Sequence, residues 1–228
     1  MERPVFANEH IYHIYNRGVE KRDIFLDEND YYRFVHGLYE FNDKAPALSS
    51  YYYSSEVGLR KGVERKRRVL VDVLAFCLMP NHYHLLVKQV DEGGITDFMR
   101  KVGTGYTNYF NKKRDRVGSL FQGKFKARHV TDNAHLLYLP LYIHLNPLDL
   151  TMPEWRDKVL KNSQQALRYL ETYRWSSHLD YLGKNNFPLI TVRGFLSDLY
   201  GGSEQYRRDM AEYLDGFDLN LLSSVMIE

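Results

Sequence analysis

Two apolar, strand-forming runs, Val69 to Cys77 and His82 to Val90, flank a short connection containing Met79-Pro80-Asn81. Turn residues between two such runs predict a β-hairpin, which commits the centre of any sheet to antiparallel pairing. The second arm opens on His82-Tyr83-His84. Residues two apart on a strand point to the same face, so both imidazoles converge on one side of the sheet. Two converging imidazoles are what a transition or divalent metal takes as part of its shell. The remaining ligand, a nucleophile and a partner have to come from elsewhere in the chain.

The rest of the sequence supplies the elements around this hairpin. His10 to Asn16 is β-branched and aromatic and reads as a first strand, ended by Arg17-Gly18. Asp27 or Asn29 is placed to cap a helix over about 30–42, where Tyr31, Phe34, Val35, Leu38 and Phe41 recur at helical spacing. Residues 43–57 form a polar, tyrosine-rich loop, and the basic run Arg60 to Arg68 follows. After Asp91-Glu92-Gly93-Gly94, Thr96 is the expected cap of a helix to about Lys113, with Phe98, Val102, Tyr106, Tyr109 and Phe110 on one face and Gly103 and Gly105 weakening its centre. Residues 117–130 interleave cations with aromatics as a strand or ordered loop. Asp132 caps a further helix that ends at Asn146-Pro147.

The order β-α-β-β-α-(β)-α predicts an α+β, ferredoxin-like sandwich with an antiparallel-dominated central sheet. We read residues 1–182 as one catalytic domain carrying a basic, tyrosine-rich insertion at about 44–68. Residues 183–228 form an acidic helical C-terminal appendage.

Charge narrows the partner. The formal net charge is only +2, but residues 100–128 hold nine Lys/Arg against one Asp, and residues 58–68 hold six against one Glu. Residues 196–228 hold seven acids against two Arg. One basic working surface with a neutralising tail suits a polyanion such as nucleic acid. Arg100, Lys112, Lys113, Arg114, Lys124, Lys126 and Arg128 supply much of that charge, with Tyr and Phe residues interleaved among them. No apolar run reaches membrane length and no signal-peptide core opens the chain, so a cytoplasmic protein without membrane contact is expected. The single cysteine, Cys77, lies in an apolar run and reads as a core residue. His-Glu-x-x-His, Walker and Rossmann patterns are absent.

The helix ending at Pro147 supplies what the His pair lacks. Tyr142 and Asn146 are four apart and share a helical face. Asn146 offers a neutral oxygen as third metal ligand, and Tyr142 a hydroxyl for a phosphate held by the same metal. Tyr106 and Tyr109 are alternative nucleophiles, because they also lie on a helix in the basic region.

Cys77-Leu-Met-Pro-Asn-His82-Tyr-His84-Leu-Leu-Val, then Leu120-Phe-Gln-Gly-Lys-Phe-Lys126, then Tyr142-Ile-His-Leu-Asn146-Pro resemble the REP-associated tyrosine transposases, of the single-tyrosine HUH superfamily. Tyr15-Asn-Arg-Gly18 and Tyr173-Arg-Trp-Ser-Ser177 extend the pattern in the family's order. The resemblance implies a ferredoxin-like HUH nuclease fold and a divalent metal, Mg²⁺ or Mn²⁺, on His82, His84 and Asn146. It implies that Tyr142 is the nucleophile, cutting single-stranded or hairpin DNA to a 5′-phosphotyrosine and a free 3′-hydroxyl before transferring the strand. Relatives act as monomers or homodimers and recognise hairpins of palindromic repeats. The resemblance thus implies a nucleoid-associated protein whose Arg100, Lys112, Lys113, Arg114, Lys124, Lys126 and Arg128 track the DNA backbone while Tyr and Phe rings stack unpaired bases. A hairpin-binding module without turnover and a metallonuclease using water are the competing readings. Pro140, two residues before Tyr142, is expected to kink or restart the helix.

Overall fold

The hairpin is built as expected: β2 (Val71–Met79) and β3 (His82–Gln89) pair antiparallel across Pro80-Asn81. It belongs to a computed structural model that describes residues 3–46, 67–157, 159–160 and 162–215. Most of the expected insertion at 44–68 therefore lies outside the described residues. β1 (Ile11–Arg17) pairs antiparallel with β3 on one side and with β4 (Lys126–Val130) on the other. The sheet order is β2-β3-β1-β4. Helices α1 (Glu28–Glu40) and α2 (Gly94–Lys113) make the connections between strands, giving the α+β ferredoxin-like arrangement.

Local chemistry sets the helix starts. The Asp27 carboxylate accepts the Asp30 amide at 3.2 Å and caps α1, whose Tyr31, Phe34, Val35 and Leu38 are then buried. α2 starts earlier than its Thr96 suggests. Gly93 takes a left-handed conformation (φ 70°), and the Ile95 amide donates to Gln89 Oε1 at 3.2 Å. The cap thus comes from the end of β3, and Thr96 sits inside the first turn. Gly94 faces the Leu70 carbonyl so closely that a Cβ would lie 2.2 Å from the oxygen.

Both faces of the sheet are covered. On the first, Tyr12, Ile14, Phe76, Tyr83 and Leu85 pack with α1 and α2. On the second, Ala75, Cys77 and Leu86 pack with α3 (Asn133–Leu145) and with elements that follow it. These include α4 (Ser163–Leu170), α5 (His178–Tyr181), α6 (Gly194–Tyr200) and α7 (Ser203–Leu214). Leu196, Tyr200, Tyr206 and Met210 of α6 and α7 are buried in that second core. Every residue of β2 except Asp72 is buried, consistent with cover on both sides. Each large apolar side chain so buried contributes roughly 1.5–3 kcal/mol.

α3 carries the residues of most interest. Asp132 Oδ1 accepts the His135 amide at 2.8 Å and starts it, and a 3-10 turn, Asn146–Leu150, ends it. The helix does not restart at Pro140 but continues through it to Leu145. Proline removes a helix hydrogen bond, a cost of about 3 kcal/mol. Burial of Leu136, Leu139, Leu141, Ile143 and Leu145 offsets that cost here. A buried polar chain ties α3 to the later helices. His144 Nε2 meets Ser177 Oγ at 2.7 Å, and the Tyr206 hydroxyl lies 2.8 Å from both His144 Nδ1 and His178 Nδ1. Among the described residues no helix is long and apolar enough to cross a membrane.

Candidate active site

Cross-strand partners share a face, and the register therefore places the site. Lys126, Tyr15, His84 and Cys77 form one row across β4, β1, β3 and β2. Arg17, His82 and Met79 form the row beside it at the strand ends. His13, opposite Arg128 and Leu86, lies on the same face one row further in. The two rows open onto a cleft of about 570 Å³ lined by Tyr15, Arg17, His82, His84, Lys126 and Asp149, among others.

Each imidazole of the pair is held through its δ nitrogen. Asn81 Oδ1 lies 2.6 Å from His82 Nδ1. An amide oxygen only accepts, so His82 carries a proton on Nδ1. His84 Nδ1 lies 2.9 Å from His13 Nε2, and the rings stack with centroids 5.1 Å apart. His84 Nε2 is buried without a hydrogen-bond partner. Burial, then the nearby His82, His13 and Arg156, hold His84 well below the usual histidine range, so the ring is neutral. His13 is lowered to about 3 by burial and by Arg128.

A neutral imidazole with a buried ring nitrogen left without a partner, as His84 has, is donor chemistry that a divalent metal uses. Among the described residues no group of three His, Cys, Asp or Glu side chains suits a metal. Asn146, the third ligand expected from the sequence, offers a neutral oxygen outside that set, and its Oδ1 accepts from Arg156.

Tyr142 packs edge-on to His84, with ring centroids 6.2 Å apart. It is only 2% exposed, and its hydroxyl accepts a hydrogen bond from Arg156 Nη1 at 3.1 Å. Asn146 is fully buried. Its Nδ2 donates to the Tyr142 carbonyl at 2.9 Å, and its Oδ1 accepts from Arg156 Nη2 at 3.3 Å. Asp149 grips the same guanidinium from the other side, at 2.8 Å to Nε and 2.6 Å to Nη2, and accepts Trp155 Nε1 at 2.7 Å. Burial opposes charge on Arg156, but Asp149 and then Tyr142 outweigh it and raise its pKa. Tyr142 packs beside His84, but neither Tyr142 nor Asn146 lines the cleft, whereas Asp149 does.

The sequence offered no signal for Arg156 or Asp149, because a 3-10 segment (Pro153–Asp157) folds back to bring Arg156 against Tyr142 and against Asp149 of the preceding turn. His13 was hidden in the same way, read only as part of a strand.

The alternative tyrosines face the other layer. Tyr106, in the first core, donates to the Ile24 carbonyl, and burial raises its pKa. The Tyr109 hydroxyl lies 3.0 Å from Asp30 Oδ1 and 3.0 Å from Lys113 Nζ.

The basic residues divide by place. Lys126 and Arg128 share the face of the His pair, and Lys126 Nζ lies 5.8 Å from the Tyr15 ring centroid. Lys112 and Lys124 are exposed. Arg100 pairs with Asp97 at 3.4 Å. Lys113 and Arg114 both bind Asp27 and Asp30, at 2.7–2.9 Å, so two carboxylates already meet their charge.

The antiparallel sheet thus carries paired strand histidines and is packed by a tyrosine-bearing helix. Residues 61–146 match the family described as Transposase IS200 like. A solved structure of a REP-associated tyrosine transposase bound to a REP hairpin has the same fold, with a TM-score of 0.54 at 11% identity. That match covers 85% of this chain and 94% of the other. No curated protein matches significantly. Over residues 61–146 the sequence is thus similar to the IS200-like transposases, and the chain shares the fold of a REP-associated tyrosine transposase.

Proposed function

We propose that this protein is a transposase that cuts and rejoins single-stranded hairpin DNA through a covalent 5′-phosphotyrosine on Tyr142. The observation that carries the reading is the edge-on packing of Tyr142 against His84, which sets the hydroxyl-bearing helix beside the paired imidazoles. The family match over 61–146 and the fold shared with a hairpin-bound transposase support it.

In this reading His82, His84 and Asn146 hold a divalent metal, Mg²⁺ or Mn²⁺. When bound, that ion polarises a non-bridging phosphoryl oxygen and orients the scissile bond. Lys126, Arg17 and the Tyr15 ring line the cleft and receive the DNA strand. The Tyr142 oxygen attacks phosphorus. The Tyr142 O–P bond forms as the P–O3′ bond breaks, and the proton lost from the phenol is balanced by one gained on the leaving 3′-oxygen. Attack by another 3′-hydroxyl reverses these changes, so strand transfer needs no external energy source.

The burial of Tyr142 and its bond to Arg156 favour one competing reading, a hairpin-binding module without turnover. Mixing the protein with Mg²⁺ or Mn²⁺ and a single-stranded palindrome decides between them on a denaturing gel. An adduct that vanishes in Tyr142→Phe supports the enzyme. Tight binding with no adduct for any hairpin oligonucleotide supports the module.

A further inference from the structure

Arg156 touches two oxygens that matter at once. Its Nη1 reaches the Tyr142 hydroxyl and its Nη2 reaches Asn146 Oδ1, at 3.1 and 3.3 Å. Those two side chains are one helical turn apart. The amide of Asn146 is fixed at its other end too, because Nδ2 donates to the carbonyls of Tyr142 and Ile143. The guanidinium itself cannot drift. Asp149 binds it through both carboxylate oxygens, Trp155 fixes one of those oxygens, and the Arg156 group lies 4.8 Å from the Trp155 ring centroid. A planar fork with donors at a fixed spacing can orient two acceptors together, which a lysine ammonium cannot do.

We propose that Arg156, anchored by Asp149 and Trp155, is a positioning residue that fixes the Tyr142 hydroxyl and the Asn146 amide oxygen in one shared geometry. Arginine has no acceptor, so it takes no proton from Tyr142 and acts by orientation alone. A misplacement of about 1 Å at a reacting group costs about 10²-fold in rate, and that sets the expected scale. The inference rests on Tyr142 being the nucleophile.

The test compares wild type, Arg156→Gln, Arg156→Lys, Asp149→Asn and Tyr142→Phe under single-turnover conditions with a palindromic oligonucleotide and Mn²⁺. The readouts are the adduct rate at saturating DNA, the DNA affinity, and the Mn²⁺ affinity by titration without DNA. Arg156→Gln is expected to form adduct about 10- to 100-fold more slowly, with DNA affinity within about twofold of wild type. Arg156→Lys is expected to recover part of that rate. Mn²⁺ binding should weaken in Arg156→Gln as the Asn146 oxygen loses its orienting donor. Asp149→Asn keeps the guanidinium but loosens its anchor, so a smaller rate loss is expected even if Arg156→Gln folds poorly. A wild-type adduct rate in Arg156→Gln, with Tyr142→Phe inactive, overturns this inference alone. So does a loss confined to DNA affinity, which would make Arg156 a backbone contact. Adduct persisting in Tyr142→Phe, or absent in wild type, removes the nucleophile reading and this inference with it.

Discussion

His13 Nε2 and His84 Nδ1 meet at 2.9 Å between two strands of the sheet, with both rings buried. A lone pair on His84 Nε2 requires the proton on Nδ1, with His13 as its acceptor. Partners of this kind raise metal affinity by fixing tautomer and ring angle, commonly by 10- to 100-fold. His13→Phe should therefore weaken Mn²⁺ binding by about 10- to 100-fold while the far-UV spectrum stays that of the folded chain. An unchanged Mn²⁺ affinity would show that the contact is packing alone.

Asp30 is fully buried between Lys113 and Arg114. Burial by itself raises its pKa, but hydrogen bonds from Lys113, the Leu26 amide, Arg114 and Tyr109 more than reverse this and leave it depressed. A carboxyl held low in the fold adds stability above its unfolded value, near pH 4, and loses it as pH falls through the folded value. Asp30→Ala is predicted to cost about 3–5 kcal/mol at neutral pH, because two cations then lose a buried partner. Urea denaturation from pH 7 downward checks both the loss and its shrinkage in acid.

Tyr206 stands between His144 and His178, donating its one proton to one ring and accepting from the other. Tyr206→Phe strands both δ nitrogens and should destabilise by about 1–3 kcal/mol, measured by thermal or chemical unfolding. Burial is the largest cause of the lowering of His178 to about 4, with Glu171 opposing and Arg207 and Lys184 adding to it. The folded ring thus refuses a proton that the unfolded chain accepts, and stability should fall as pH drops from about 6.5 toward 4.

Gly103 and Gly105 of α2 are predicted to respond in opposite directions to alanine. A Cβ at Gly103 meets nothing within 4 Å, so alanine removes chain entropy from the unfolded state and should stabilise by about 0.5–1 kcal/mol. At Gly105 it would lie 2.5 Å from the Phe41 ring, and overpacking of that kind costs about 1–3 kcal/mol. Parallel melting curves of the two variants decide the matter.

Much of the fold was legible because the informative signals are local. Asp27 and Asp132 announce their helices within three residues, and Met79-Pro80-Asn81 announces the hairpin. What escaped is non-local. The start of α2 depends on Gln89 reaching forward from a strand, and Thr96, the locally plausible cap, plays no such part. Lys113 and Arg114 look like free cations along the sequence, yet their partners lie more than 80 residues away. Of the candidate site, the paired histidines and the tyrosine helix could be read from spacing alone. His13 and Arg156 depend on strand register and on a short returning turn, and residue spacing encodes neither.

The β2–β3 hairpin is enclosed by one core on each side, and this has a consequence for motion. A strand covered on a single face can be bared by detaching one layer, and its amides then exchange with solvent through that local opening. Here, baring Tyr83, His84 and Leu85 requires both layers to part, which amounts to unfolding most of the chain. Their amide protons should be among the slowest in the protein to exchange for deuterium. The paired histidines would then be a fixed anvil, and any rearrangement during strand exchange would fall to the elements that approach them.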